Sequence, residues 1–166
     1  MRRRLLLLAM LASALPAQAP ALGCICPAGV KSPKKAARAA DAVFLGVAER
    51  IVLLQDGHPA GPEVDRLSES VRMIVIFRVT KAWKGVREAR IAVTTGPDPD
   101  VECGFPFEKD GQYLVYADQV KYAREGREGW ELSTSRCHRT RGGPVALSEA
   151  RALGKPEWAP APYATR

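Results

Sequence analysis

Ser70-Val71-Arg72-Met73-Ile74-Val75-Ile76-Phe77-Arg78-Val79-Thr80-Lys81-Ala82-Trp83 is the clearest strand in the chain and decides its class. Val71, Met73, Val75, Phe77 and Val79 fall on one face of an extended chain. Arg72, Ile74, Ile76, Arg78 and Thr80 fall on the other, so both faces are partly apolar. Downstream, Lys84-Gly85 turns the chain into a further strand over Ala89 to Thr95. Gly96-Pro97-Asp98-Pro99-Asp100 then forms an irregular loop that leads to Cys103. Upstream, Ala42 to Leu54 is rich in Val, Ile and Leu, with Gly46 as a bulge or close-packing point, and Gln55 to Arg66 reads as a loop.

Gln112 to Ala117 and Trp130 to Ser135 read as two last strands joined by a polar loop. Ser32 to Ala40 reads as a short helix: Ser32 is an N-cap, Pro33 suits the first helical position and the alanines propagate. A second helix is expected near Leu147 to Leu153. The sum is a mainly β fold, an OB-like five-stranded barrel with short flanking helices, with Trp83, Trp130 and the tyrosines in its core or rim. No internal repeat interrupts it, and the Pro- and Ala-containing tail over 156–166 is expected to fray.

The first residues set the compartment. Met1 to Arg4 form a basic n-region, Leu5 to Leu15 an apolar stretch, and Pro16 to Gly23 a small-residue tail, the pattern of a signal peptide and too short to span a bilayer. Cleavage fits after Ala19, Ala21 or Gly23. The last choice makes Cys24 the first residue, whereas the first puts Pro20 directly after the cut. A secreted or periplasmic protein follows, with no membrane span. Leu22-Gly23-Cys24 also resembles the end of a lipobox, although Ala21 stands where an aliphatic residue is usual, so a lipid anchor at Cys24 is the lesser alternative.

Removing a leader of 23 from 166 residues leaves 143, the length of one domain. The net charge of +7 includes three leader arginines and falls to +4 without them. Lys31, Lys34, Lys35 and Arg38 lie on the first helix; Arg124, Arg127, Arg136, Arg139 and Arg141 lie near the last strand. Few aromatics interleave with these charges, so a solvated face is expected and nucleic acid is not an expected partner.

Four cysteines in an exported chain imply two disulfides. They allow three pairings, and joining Cys24 to Cys26 closes a very small strained ring, which leaves two long-range schemes. Residues i and i+2 of an extended segment point the same way, so both thiols of Cys24-Ile25-Cys26 can meet Cys103 and Cys137. A competing metal reading groups Cys24, Cys26, Cys103 and His138, at a spacing unlike a zinc ribbon. Asp98, Asp100 and Glu102 alternate as calcium ligands do, but a solvated loop is the simpler reading. No cofactor is expected. His58 and His138 are the only histidines and no Ser/His/Asp set or carboxylate pair stands out, so an enzyme is not expected.

Several blocks taken together carry a resemblance. Cys24-Ile25-Cys26-Pro27, Ala40-Asp41-Ala42-Val43-Phe44, Cys103-Gly104-Phe105-Pro106-Phe107, Asp110-Gly111-Gln112-Tyr113-Leu114-Val115 and Leu132-Ser133-Thr134-Ser135-Arg136-Cys137 follow one another as in the N-terminal, netrin-like domain of the tissue inhibitors of metalloproteinases. In order and role, these blocks of the chain over 24–155 resemble that inhibitory domain. The resemblance implies an OB-like netrin module with Cys24 bonded to Cys103 and Cys26 to Cys137. It departs from the family in three ways: a third disulfide has no counterpart, the separate cysteine-rich C-terminal domain has none, and Pro27 directly follows Cys26 where the family has one more residue.

The function implied by the resemblance is inhibition of zinc metalloendopeptidases by a monomer. A catalytic zinc keeps one position open to water, and a free α-amine with its neighbouring carbonyl can replace that water in a five-membered chelate. Cys24 supplies both atoms, Ile25 enters the apolar pocket beside the metal, and Cys26, Pro27, Val101 and Glu102 are carried alongside as protease contacts. The alternative is a non-inhibitory netrin-like module that binds another extracellular or envelope protein, since one fold hosts many functions.

Overall fold

The structure, a computed structural model, describes residues 23–27, 32–61, 63–66, 68, 71–124 and 127–160. The leader over 1–22, Lys31 and the tail over 161–166 lie outside the described residues. In chain order the elements are α1 (Pro33–Ala39), β1 (Ala42–Gln55), β2 (His58–Pro59), β3 (Val71–Lys84), β4 (Arg90–Thr95), β5 (Gln112–Arg124), β6 (Arg127–Ser133), β7 (Arg141–Gly142) and α2 (Gly143–Leu153). Five strands close a ring in the order β1, β3, β4, β6, β5, with β5 returning to β1. The fold is therefore mainly β with two short helices and two disulfides, as expected from the sequence.

The alternation in β3 is what fills the ring. Val71, Met73, Val75, Phe77 and Val79 are buried, while Arg72, Ile74, Ile76, Arg78 and Thr80 are half-buried on the other face. Phe77 lies at the centre, edge-on to Phe44, Phe107 and Tyr113 at centroid distances of 5.4, 5.2 and 6.3 Å. Such edge-to-face geometry suits the ring quadrupoles. β1 is buried on both faces: Phe44 and Ala48 point into the ring, and Val43 and Leu45 point outward into a second core. That second core is closed by the helices, where Ala36 and Ala40 on and just after α1 and Ala146 and Ala150 on α2 face Leu114, Tyr116 and Trp83. Small residues at these positions let helix and sheet backbones approach closely. Ser32 caps α1 by accepting the Lys35 N–H at 3.3 Å.

Four readings need correction. Gln55 to Arg66 is not only loop: Asp56 and Gly57 both adopt positive φ, 49° and 82°, and reverse the chain so that β2 pairs with the end of β1. Asp-Gly is the dipeptide suited to a tight hairpin with both central residues left-handed. The polar loop between Ala117 and Trp130 is a ribbon, because β5 runs on to Arg124 and pairs with β6 down to Arg127. This ribbon projects beyond the ring, so neither face requires apolar residues and the usual signal is missing; a Lys121–Glu128 ion pair at 3.0 Å crosses it instead. Trp130 sits on that ribbon, 66 % exposed, and belongs to neither core nor rim. The segment expected to fray from Pro156 is tied down as far as Trp158, whose N–H and C=O both bond Ala82 and whose ring packs on the main core.

The ring interior depends on Phe77 more than on any exposed aromatic. Phe77→Ala is expected to lower unfolding free energy by about 3–5 kcal/mol, against about 0.5 kcal/mol or less for Trp130→Ala. Urea denaturation of both variants checks the contrast.

Candidate functional site

Ring closure carries three separated pieces of chain to one end of the molecule: residues 23–27, the loop after β4, and the turn after β6. Cys24 is bonded to Cys103 with Cα atoms 5.0 Å apart, and Cys26 to Cys137 with Cα atoms 5.1 Å apart. This is the pairing implied by the resemblance. The two bridges touch, the Cys24 Sγ lying 3.9 Å from Cys26 Sγ and 4.0 Å from Cys137 Sγ. The two cysteines therefore face the body of the protein and Ile25 between them faces away, 88 % exposed. All four sulfurs lie within 4.8 Å of one another, but as disulfides they offer no thiolate, which removes the metal reading.

The loop after β4 is organised by Asp98. Its Oδ1 accepts the N–H groups of Asp100 and Val101, both at 2.8 Å, and its carbonyl accepts those of Glu102 at 3.3 Å and Gly104 at 3.0 Å. An Asx turn of this kind holds the next residues in a fixed path. The Asp100 carbonyl then accepts the backbone N–H of Cys24 at 2.6 Å, and the Asp100 carboxylate pairs with Arg136 at 2.8 Å. Arg136 also donates to the Pro99 carbonyl at 3.1 Å, while its backbone N–H bonds the Cys103 carbonyl at 2.8 Å. Cys103 itself takes a positive φ of 55°, which re-aims the chain at the bridge.

Asp98 and Asp100 thus serve the loop and its neighbour rather than a calcium ion. Val101 is 52 % exposed and directly follows the carbonyl that receives Cys24, so it flanks the Cys24 end of the segment. Pro27 is exposed at the other end. The Glu102 carboxyl is raised above its ordinary 4.5, first by burial and then by the charge of Asp98.

The turn after β6 contains residues that sequence reading passed over. His138 Nδ1 lies 2.8 Å from Ser135 Oγ, and His138 Nε2 lies 3.2 Å from Asp118 Oδ2. This is the residue set of a catalytic triad, but its wiring is that of a turn. Nδ1 also accepts the Ser135 N–H at 3.0 Å, so its single lone pair is shared, and Ser135 Oγ accepts the Cys137 N–H at 3.2 Å. The group locks residues 135–138 and ties Cys137 to β5. Behind it, Thr134 and Thr140 are buried and bond each other at 2.9 Å; Thr134 donates to the Tyr116 carbonyl and Thr140 accepts the Tyr116 N–H. The arginines expected on a solvated face are paired here: Arg139 makes two bonds of 2.9 Å to Glu149.

No protein-family model matches the chain, and no curated protein matches it.

Replacing Cys26 and Cys137 together by serine is expected to destabilise the fold by about 2–4 kcal/mol, because a closure spanning a sequence separation of 111 residues is lost from the unfolded chain. Guanidinium unfolding of the double variant measures it. The raised Glu102 carboxyl gives a pH test. An acid whose folded pKa is raised adds stability below its unfolded pKa, and that stability is lost as pH rises through the folded pKa. Glu102→Gln should therefore be at least as stable as the parent at neutral pH, with the difference shrinking as pH falls below the ordinary carboxyl range. Melting temperatures measured across that range check the sign.

Proposed function

We propose that the exported chain, freed of residues 1–23, inhibits zinc metalloendopeptidases with the stapled segment Cys24-Ile25-Cys26-Pro27. The observation that carries this reading is the exposure of Ile25, an 88 % exposed apolar side chain between two disulfide-bonded cysteines. A large aliphatic group left in water on one of the most tightly anchored segments suits insertion into an apolar pocket. A segment held this rigidly loses little conformational entropy on binding. Val101 on one side, with Glu102 behind it, and Pro27 on the other extend the contact edge. The ordered blocks shared with the netrin-like inhibitory domain support the same reading.

The chemistry follows from Cys24 once it is the first residue. Its α-amine has a pKa of about 7.7–8, so loss of a proton at neutral pH costs little and zinc favours it further. A neutral amine has two hydrogens and one lone pair. One hydrogen goes to the Asp100 carbonyl, the 2.6 Å bond already made by this nitrogen, and the lone pair is left for the metal. That bond orients the amine, and the Cys24 carbonyl completes the chelate. The zinc belongs to the target protease, so the inhibitor carries no cofactor and performs no reaction of its own.

Inhibition by the native-terminus protein is expected against members of a zinc-protease panel and not against serine proteases. One alanine added before Cys24, or acetylation of its amine, should abolish inhibition with thermal stability nearly unchanged. Ile25→Gly should weaken binding by about 1.5–3 kcal/mol if the side chain is fully buried in the protease. Equal inhibition by the alanine-extended protein, or none by the native terminus at micromolar concentration, gives the chain to the alternative reading, a non-inhibitory netrin-like binding module.

A further inference from the structure

Between α1, the Cys26-Pro27 segment and residues 137–141 lies a cleft of about 340 Å³. Its volume is at the lower end of pockets that hold small molecules, room for one ring or a short chain. One wall is apolar and belongs largely to α1 and its end, Ala36, Ala39 and Ala40. Tyr116, Arg139 and Arg141 also line it, and there the charges do not balance.

Arg139 is held by Glu149 in a two-bond fork. Arg141 Nε lies 3.9 Å from the same carboxylate and its Nη1 donates to the Thr140 carbonyl at 2.9 Å. Two guanidiniums thus share one carboxylate. Beside them the Tyr116 hydroxyl is buried and has no hydrogen-bond partner among the described residues. Its pKa is pushed up to about 12, first by burial and then by Glu149, so the phenol keeps its proton and remains a donor at physiological pH. An unmade hydrogen bond on a buried hydroxyl is costly, and a cation in excess inside the protein favours an anion beside it. Asp118, the acidic residue that also lines the cleft, is bonded to His138.

We propose that this cleft binds a small organic monocarboxylate with an apolar body, its carboxylate accepting from Arg141 and the Tyr116 hydroxyl and its body lying on the alanines of α1. A planar carboxylate matches the guanidinium fork, and one negative charge completes a cluster of two cations and one anion. The site is independent of the inhibitory reading, although it shares a wall with it: Cys26, Pro27 and Cys137 border the cleft, so a bound ligand abuts the second anchor of the exposed segment.

Calorimetric or NMR titration of the full mature chain with cyclohexanecarboxylate tests this. Cyclohexanecarboxamide serves as the uncharged isostere and inorganic phosphate as the bare anion. The carboxylate should bind and raise the melting temperature, with the other two at least about tenfold weaker. Arg141→Gln should weaken carboxylate binding about tenfold, and Tyr116→Phe about fivefold. Without ligand, Tyr116→Phe should melt no lower than the parent, since it removes a buried hydroxyl that has no partner. Absence of carboxylate binding, equal binding of the carboxamide, or wild-type affinity in both variants overturns the proposal.

Discussion

The first half of β1 is hydrogen-bonded along both edges, to β3 and to β5, and buried on both faces. Val43 to Val47 cannot leave that position without opening the ring and exposing both cores at once. The strand meets this double demand with bulges: register shifts fall at Val43/Phe44, Leu45/Gly46 and Ala48/Arg50, which bend it so that it serves two neighbours that diverge. Closure at β1 also sets where everything else ends. β4 and β6 meet in a short parallel pairing at Val93–Leu132 and Thr94–Ser133, so the loop leaving β4 and the turn leaving β6 emerge side by side. Cys103 and Cys137 lie on those two segments.

The N-terminal segment rests on this junction rather than creating it. Its backbone contributes one printed bond to the body, from Cys24 to Asp100, and the two bridges do the remainder. Rigidity there comes from what lies beneath: Asp98 organising its own loop, Arg136 joining that loop to the turn, and His138 fixing the turn to Asp118 on β5. A single aspartate, one arginine and one histidine thus connect the three pieces, with the disulfides as the covalent layer above them. Ile25 is exposed because its neighbours on either side are committed inward.

The helices have a different task. They cover the outward face of β1 and β5 with alanines, and this close approach leaves the Tyr116 phenol enclosed while the arginines after Cys137 gather around Glu149 of α2. The same packing that excludes water from the second core leaves a hydroxyl and a guanidinium short of partners at its border. Charge that looks like a solvated stripe along the chain becomes a local, directional arrangement once α2 folds back.

The class of fold was legible in the sequence because burial in a sheet leaves a period of two, plain in Val71 to Val79, and because Ser32-Pro33 and the alanines after it favour a capped helix over any alternative. The compartment and the need for two long-range bridges were legible in the leader pattern and the cysteine count. The β5–β6 ribbon was not, since outside the core neither face must be apolar, and the hairpin at Asp56-Gly57 was hidden by an eleven-residue polar stretch around it. Local sequence determined which residues are extended, helical or turned, because those preferences act over a few residues. Only the tertiary structure decided that Asp98, Arg136 and His138 hold one site together, and that Arg139 and Arg141 share one carboxylate, because hydrogen bonds and charge balance between segments depend on distances that no local pattern encodes.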